Sequence, residues 1–179
     1  MRMMYMNEIR YETPIEQVDF SQPTIFLAGP TVRGHQTHLL PSWRFLAASR
    51  FNNKGFKGNL IIPEFTDIKE SDKYRYDLPV WEFNGLTKSH VIMFWIPRTK
   101  DLIGLTTNHE LGYWMARDRS KVVYGRPDDA YRIAYTDIMW VEDAKRRSKE
   151  IKVSFPCPIY NALYKTIDAS LEKISVRFS

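Results

Sequence analysis

The chain has 179 residues, 44% of them hydrophobic, which suits one domain with a sizeable core and excludes a disordered chain. A net charge of +5, with the basic residues spread out, suits anionic small ligands such as nucleotides and comes with no recognised nucleic-acid motif. The single cysteine excludes an internal disulfide, the first residues lack the apolar run of a secretory leader, and no 18 consecutive residues are apolar, so a cytoplasmic protein without a membrane span is expected.

Residues 1–23 are polar and read as irregular. TIFLAGP (24–30) is an apolar run stopped by Gly-Pro, too short for a helix, and reads as a buried strand. A polar loop, TVRGHQTHLL, follows. Its His35 and His38 lack acidic or Cys companions, so no metal site is expected. PSWRFLAASRF (41–51) opens with Pro-Ser and reads as a helix, and NLIIP (59–63) as the next strand. After a charged loop, VWEFNGLTKS has apolar residues three apart and reads as a short helix. HVIMFWIP (90–97) holds six consecutive apolar residues and suits a central parallel strand covered on both faces.

TNHELGYWMARD reads as a helix and KVVYG (121–125) as a short buried strand. PDDAYRIAY opens with helix-favouring residues, and TDIMWV (136–141) reads as a final strand. KRRSKEIK (145–152) reads as a solvated helix face. Residues 158–174 carry apolar side chains at helical spacing, so a C-terminal amphipathic helix is expected. Alternating strands and helices predict a single α/β domain over 1–179 with a mostly parallel, five-stranded sheet and helices on both faces. Ligands of such sheets bind at the carboxyl ends of the strands.

Several chemistries lack their motifs. There is no GxSxG, no phosphate-binding GxxxxGK[ST] loop, no GxGxxG after a strand, and HELGY has Tyr113 where a zinc-binding HExxH needs its second histidine. Two carboxylates flank the strand 90–97: Glu82 before it and Glu110 after it. Thr107-x-x-Glu110 fits a capping box, in which Glu110 would fold onto its own helix. Glu110 also suits an exposed nucleophile, kept ionised by a helix N-terminus. Paired carboxylates of this kind cleave glycosidic bonds, one attacking the anomeric carbon and the other handling protons.

IFLAGPT with SWR, then WEFNGLTKSHVIMFWIP, TTNHELGYWMA and KVVYG, together resemble the nucleoside 2-deoxyribosyltransferase-like family, over residues 24–140. The resemblance implies a flavodoxin-like (Rossmann-like) fold, a homodimer or higher homo-oligomer, and cleavage or transfer at the N-glycosidic bond of a nucleoside or nucleoside monophosphate. It implies no metal or organic cofactor. By it Glu110, in the ELG element, is the nucleophile, and Glu82 binds the sugar and assists the leaving base. Gly29, Pro30 and Thr31 contact sugar or phosphate, Asp101 contacts the base, and Phe26, Trp81 and Asn108 complete the expected substrate contacts. Arg33 and Arg44 are anion candidates from charge and position. The chain departs from the family at Phe26, where the transferases often carry Tyr, and at His90, where an acidic residue is usual; the loop before ELG is also longer. Two other readings stand beside it: an NAD-cleaving enzyme of the TIR type, which also uses a Glu, and a nucleotide-binding module without turnover.

Overall fold

A computed structural model describes residues 6–31, 42–67, 76–152, 154 and 156–179. Arg33, His35 and His38 lie outside the described residues. Five parallel strands form one sheet: β1 (Met6–Ile9), β2 (Thr24–Ala28), β3 (Gly58–Ile61), β4 (Val91–Trp95) and β5 (Val122–Gly125), in the order β1-β3-β2-β4-β5. The helices are α1 (Trp43–Asn53), α2 (Leu78–Lys88), α3 (Leu105–Asp118), α4 (Ala134–Ile151) and α5 (Leu163–Phe178). This is the flavodoxin-like, Rossmann-like α/β architecture.

The central strands are buried on both faces, which is why they read as unbroken apolar runs. Ile25 and Leu27 of β2 face α1 and α5, packing with Ala47, Phe51 and Ile167. Phe26 and Ala28, one residue out of phase, face α2, α3 and α4 with Leu86, Leu111 and Trp140.

Three expectations fail here. Residues 1–23 include a strand. β1 runs parallel to β3, Met6 opposite Gly58 and Ile9 opposite Ile61, and is only partly buried, so its sequence lacks the apolar run that marks a central strand. The stretch 136–141 is helix, within α4. Asp137, Trp140 and Ala144 point inward while Ile138 and Met139 are exposed, a burial period of three to four rather than two. Nor does a helix begin at Pro127. Ala130 N–H donates to Pro127 O, Arg132 takes a left-handed φ of 49°, and α4 starts only at Ala134. In place of a strand at 136–141, Tyr160 bridges the open edge of β5: its N–H donates to Tyr124 O at 3.1 Å and its carbonyl accepts from Arg126 N–H at 2.9 Å.

The run at 145–152 covers the end of α4 and its cap Lys152 and is largely a solvated face, where Lys145 pairs with Glu142 and Arg146 with Asp143 and Glu150, while Arg147 reaches back to Met115 O. Among the described residues, no helix is long and apolar enough to cross a membrane.

Candidate active site

The chain leaves β2 toward β3 on one side and returns through β4 on the other. The carboxyl ends of β2 and β4 therefore splay their loops apart, the position where parallel sheets bind ligands. A cleft of about 380 Å3 opens there.

Its first wall is the turn after β2. Gly29 has φ 152°, and a Cβ there would lie 2.2 Å from Trp95 O, so this position requires glycine. Trp43 Nε1 donates to Pro30 O at 3.1 Å. Arg44, 1% exposed, fixes the rest. Its Nε donates to Leu27 O (2.9 Å), Nη2 to Gly29 O (2.6 Å), and Nη1 to Thr31 Oγ1 (3.0 Å) and to Glu64 Oε1 (2.7 Å). Arg44 lines the cleft, but these acceptors engage most of its donors, so it serves chiefly as a clamp between the loops after β2 and β3.

The opposite wall is the loop after β4, through Asp101 to Leu105, and the start of α3. Gly104 caps α3 with φ 64°, and a Cβ there would lie 2.8 Å from Pro30 Cβ, so the two walls touch at their base.

Glu82 and Glu110 both line the cleft. They are the fifth residue of α2 and the sixth of α3, each in the second turn of a helix that begins at the same edge of the sheet. The capping-box expectation is thereby corrected. α3 starts at Leu105, so Glu110 is a full turn too late to reach the N-cap, and no side chain caps this helix. The two carboxyl groups lie close enough in the cleft for the charge of Glu82 to act on Glu110. Burial, then the charge of Glu82, push the Glu110 carboxyl up to about 8, against the opposing pull of Arg44. The expectation that a helix N-terminus keeps Glu110 ionised fails for the same reason: desolvation and a second carboxylate outweigh a helix dipole that fades beyond the first turn.

Phe26 lines the cleft, its ring against Gly85, where a Cβ would lie 2.9 Å from Phe26 Cε2. Gly29, Pro30, Thr31 and Asp101 also line it. Trp81 and Asn108 do not. Trp81 is buried and donates Nε1–H to Thr13 O at 2.9 Å, while Asn108 projects from the other side of α3 and accepts from Arg98. Trp95 and Trp114 are core residues on opposite faces of the sheet.

The residue that sequence reasoning missed is Tyr11. β1 runs beside β3 toward the carboxyl edge, and Tyr11 N–H continues the pairing with Glu64 O. This brings the Tyr11 ring against Trp81 and Phe65, and its hydroxyl donates to Glu82 Oε1. The only signal for it was the strand character of MNEI, weak because β1 lies at the sheet edge. Among the described residues, no group of three or more His, Cys, Asp or Glu side chains is arranged to hold a metal ion. No protein-family model matches this sequence, and no curated protein matches it.

Proposed function

We propose that the protein cleaves or transfers at the N-glycosidic bond of a nucleoside or nucleoside monophosphate, through a glycosyl ester on Glu110. The supporting observation is the Glu82–Glu110 pair lining the switch-point cleft, where burial and the charge of Glu82 push the Glu110 carboxyl up. A pair of carboxyl groups holding a single proton contains both an acid and a nucleophile.

In the reactive arrangement Glu82 holds the proton and Glu110 is the carboxylate. A Glu110 oxygen attacks C1′, the C1′–N bond breaks, and the Glu82 proton passes to the departing base nitrogen. Glu82, now ionised, takes a proton from water or from an incoming base as that group attacks C1′ and the ester bond breaks. Two displacements give net retention. No step needs a metal or an organic cofactor, because a protonated base is a tolerable leaving group. The resemblance of the sequence to nucleoside 2-deoxyribosyltransferases supports the same reading. We propose a homodimer or higher homo-oligomer in the cytoplasm; an exposed apolar stripe of Tyr135, Ile138 and Met139 on α4 supports the association.

The test is incubation with ribo- and deoxynucleosides, their monophosphates and NAD, with and without a free base, followed by chromatography. Base release or exchange that disappears in Glu110→Ala supports the proposal. Release of nicotinamide from NAD alone would replace it with an NAD-cleaving activity. Thermal stabilisation by a nucleotide without any product would replace it with a binding module.

A further inference from the structure

The chain order that carries strand ends to the cleft carries helix ends to the opposite edge of the sheet. α2 leads directly into β4, and α3 leads into β5 through residues 119–121. α5 ends beside both, with the Phe178 ring 4.7 Å from that of His90, the residue before β4. Each of these helices has a basic residue in its last turn: Lys88, Arg117 and Arg177. Singly, the negative end of a helix accounts for each of them.

The helix ends do not account for what gathers around Ser120. Lys173 and Arg177, four residues apart, share one face of α5. Lys173 Nζ donates to Ser120 O at 2.9 Å, and Arg177 Nη2 donates to Ser120 Oγ at 2.9 Å. The next residue, Lys121, reaches across to the end of α2, where its Nζ donates to Thr87 O at 3.0 Å. Ser120 itself is exposed. Three cations from two segments thus surround one accessible residue. Elsewhere the cations of this chain meet carboxylates, as Arg44 meets Glu64, Lys54 meets Asp168 and Arg126 meets Asp137. Here, among the described residues, Lys121, Lys173 and Arg177 form no ion pair, and Asp118 accepts from the Ser120 hydroxyl instead. Burial lowers both lysine ammonium groups, and the charge of Arg177 lowers them further, against the pull of Asp118. Both ammonium groups and the guanidinium retain unspent donors.

We propose that Lys121, Lys173 and Arg177 form a second ligand site, over Ser120 at the amino edge of the sheet, for a compact phosphate group. The ligand supplies the counter-charge that the chain withholds. A phosphate monoester or diphosphate matches this arrangement better than a nucleic-acid strand, because the cations converge on one residue instead of tracking a groove. The site lies at the other end of the strands from the cleft and requires nothing of the glycosidic reading.

The test is calorimetric titration of the full chain at low salt with inorganic pyrophosphate, then with ADP and with a single-stranded oligothymidylate. Wild type should bind pyrophosphate, more weakly as salt is added. The double variant Lys173→Gln, Arg177→Gln should bind it about tenfold or more less tightly, the scale of two exposed charge contacts. Equal affinity for pyrophosphate and ADP, lost together in the double variant, identifies the phosphate alone as the ligand. Tighter binding of ADP, lost in the same variant, identifies the phosphate of a nucleotide. In 15N spectra of wild type, pyrophosphate should move the amide signals of Ser120 and Lys121, and this arm decides even if the double variant does not fold. No binding by wild type, unchanged affinity in the double variant, or signal changes confined to Gly104 and Leu105 at the cleft would overturn the inference. So would oligothymidylate binding more tightly than pyrophosphate at these residues, which would make the edge a nucleic-acid surface.

Discussion

Replacing Glu110 by Gln isolates the energetic cost of ionising that carboxyl in the cleft. Gln matches the protonated acid in shape and can still donate to Glu82, but it has no proton to lose. In wild type the carboxyl rises from 4.5 to about 8 on folding, so between these values the folded chain keeps a proton that the unfolded chain has released. Stability is therefore lost as pH rises through this window, by at most about 1.4 kcal/mol per pH unit and about 5 kcal/mol in all. Solvent access to the open cleft reduces this to about 2–3 kcal/mol between pH 5 and 8. Glu110→Gln should equal wild type at pH 5 and exceed it by that amount at pH 8. For a chain of this length that is a melting-temperature gap opening by about 5–10 °C. Denaturant unfolding of both proteins at pH 5, 6, 7 and 8 measures it, and titrating groups away from the pair cancel in the difference. A gap that stays flat across this range would refute the buried, proton-sharing pair and leave Glu110 an ordinary solvated carboxylate.

The glycines and the clamp behind the cleft make further predictions. Arg44→Met leaves Glu64 with Ser42 as its hydroxyl donor and frees the turn after β2; a loss of about 3–5 kcal/mol is expected in urea unfolding. Gly29→Ala, with its Cβ forced onto Trp95 O, should cost about 3 kcal/mol by the same measurement, and near-wild-type stability would contradict the described turn. Gly104→Ala must relieve both a left-handed φ and a contact with Pro30. It should cost about 2 kcal/mol and weaken nucleotide binding in calorimetry, because the two walls of the cleft meet there. Glu82→Gln should lower the rate of base release by about 100-fold or more while the protein stays folded by circular dichroism, the scale of one lost acid–base group.

Much of the fold could be read directly because burial on both faces writes itself into sequence. β2, β3, β4 and β5 are apolar runs closed by Gly or Pro, and helices lie between them. What escaped were elements whose burial is partial. β1 sits at an edge, and its MNEI has two polar residues between two apolar ones, with neither the apolar run nor the alternation that marks a strand. α4 begins with Ala-Tyr-Thr-Asp-Ile-Met-Trp, in which aromatic and β-branched residues suggest strand locally, although its inward contacts repeat every three to four residues.

The candidate site divides in the same way. Sequence alone marked Glu82 and Glu110 as carboxylates flanking the central strand and marked Gly29 and Pro30 as the stop of a buried strand, because chain order in a parallel sheet carries the end of one strand to the start of the next helix. It left Glu110 balanced between a helix cap and a reactive acid, because that choice depends on where α3 begins, and Gly104, held against Pro30 from a different loop, sets that start. Only the tertiary structure brought the two carboxyl groups into one cleft, turned Arg44 from a free cation into a clamp, and carried Tyr11 across 71 positions of sequence to Glu82. Shared protons and raised pKa values arise from burial and from neighbours distant in the chain, and no local pattern of residues records either.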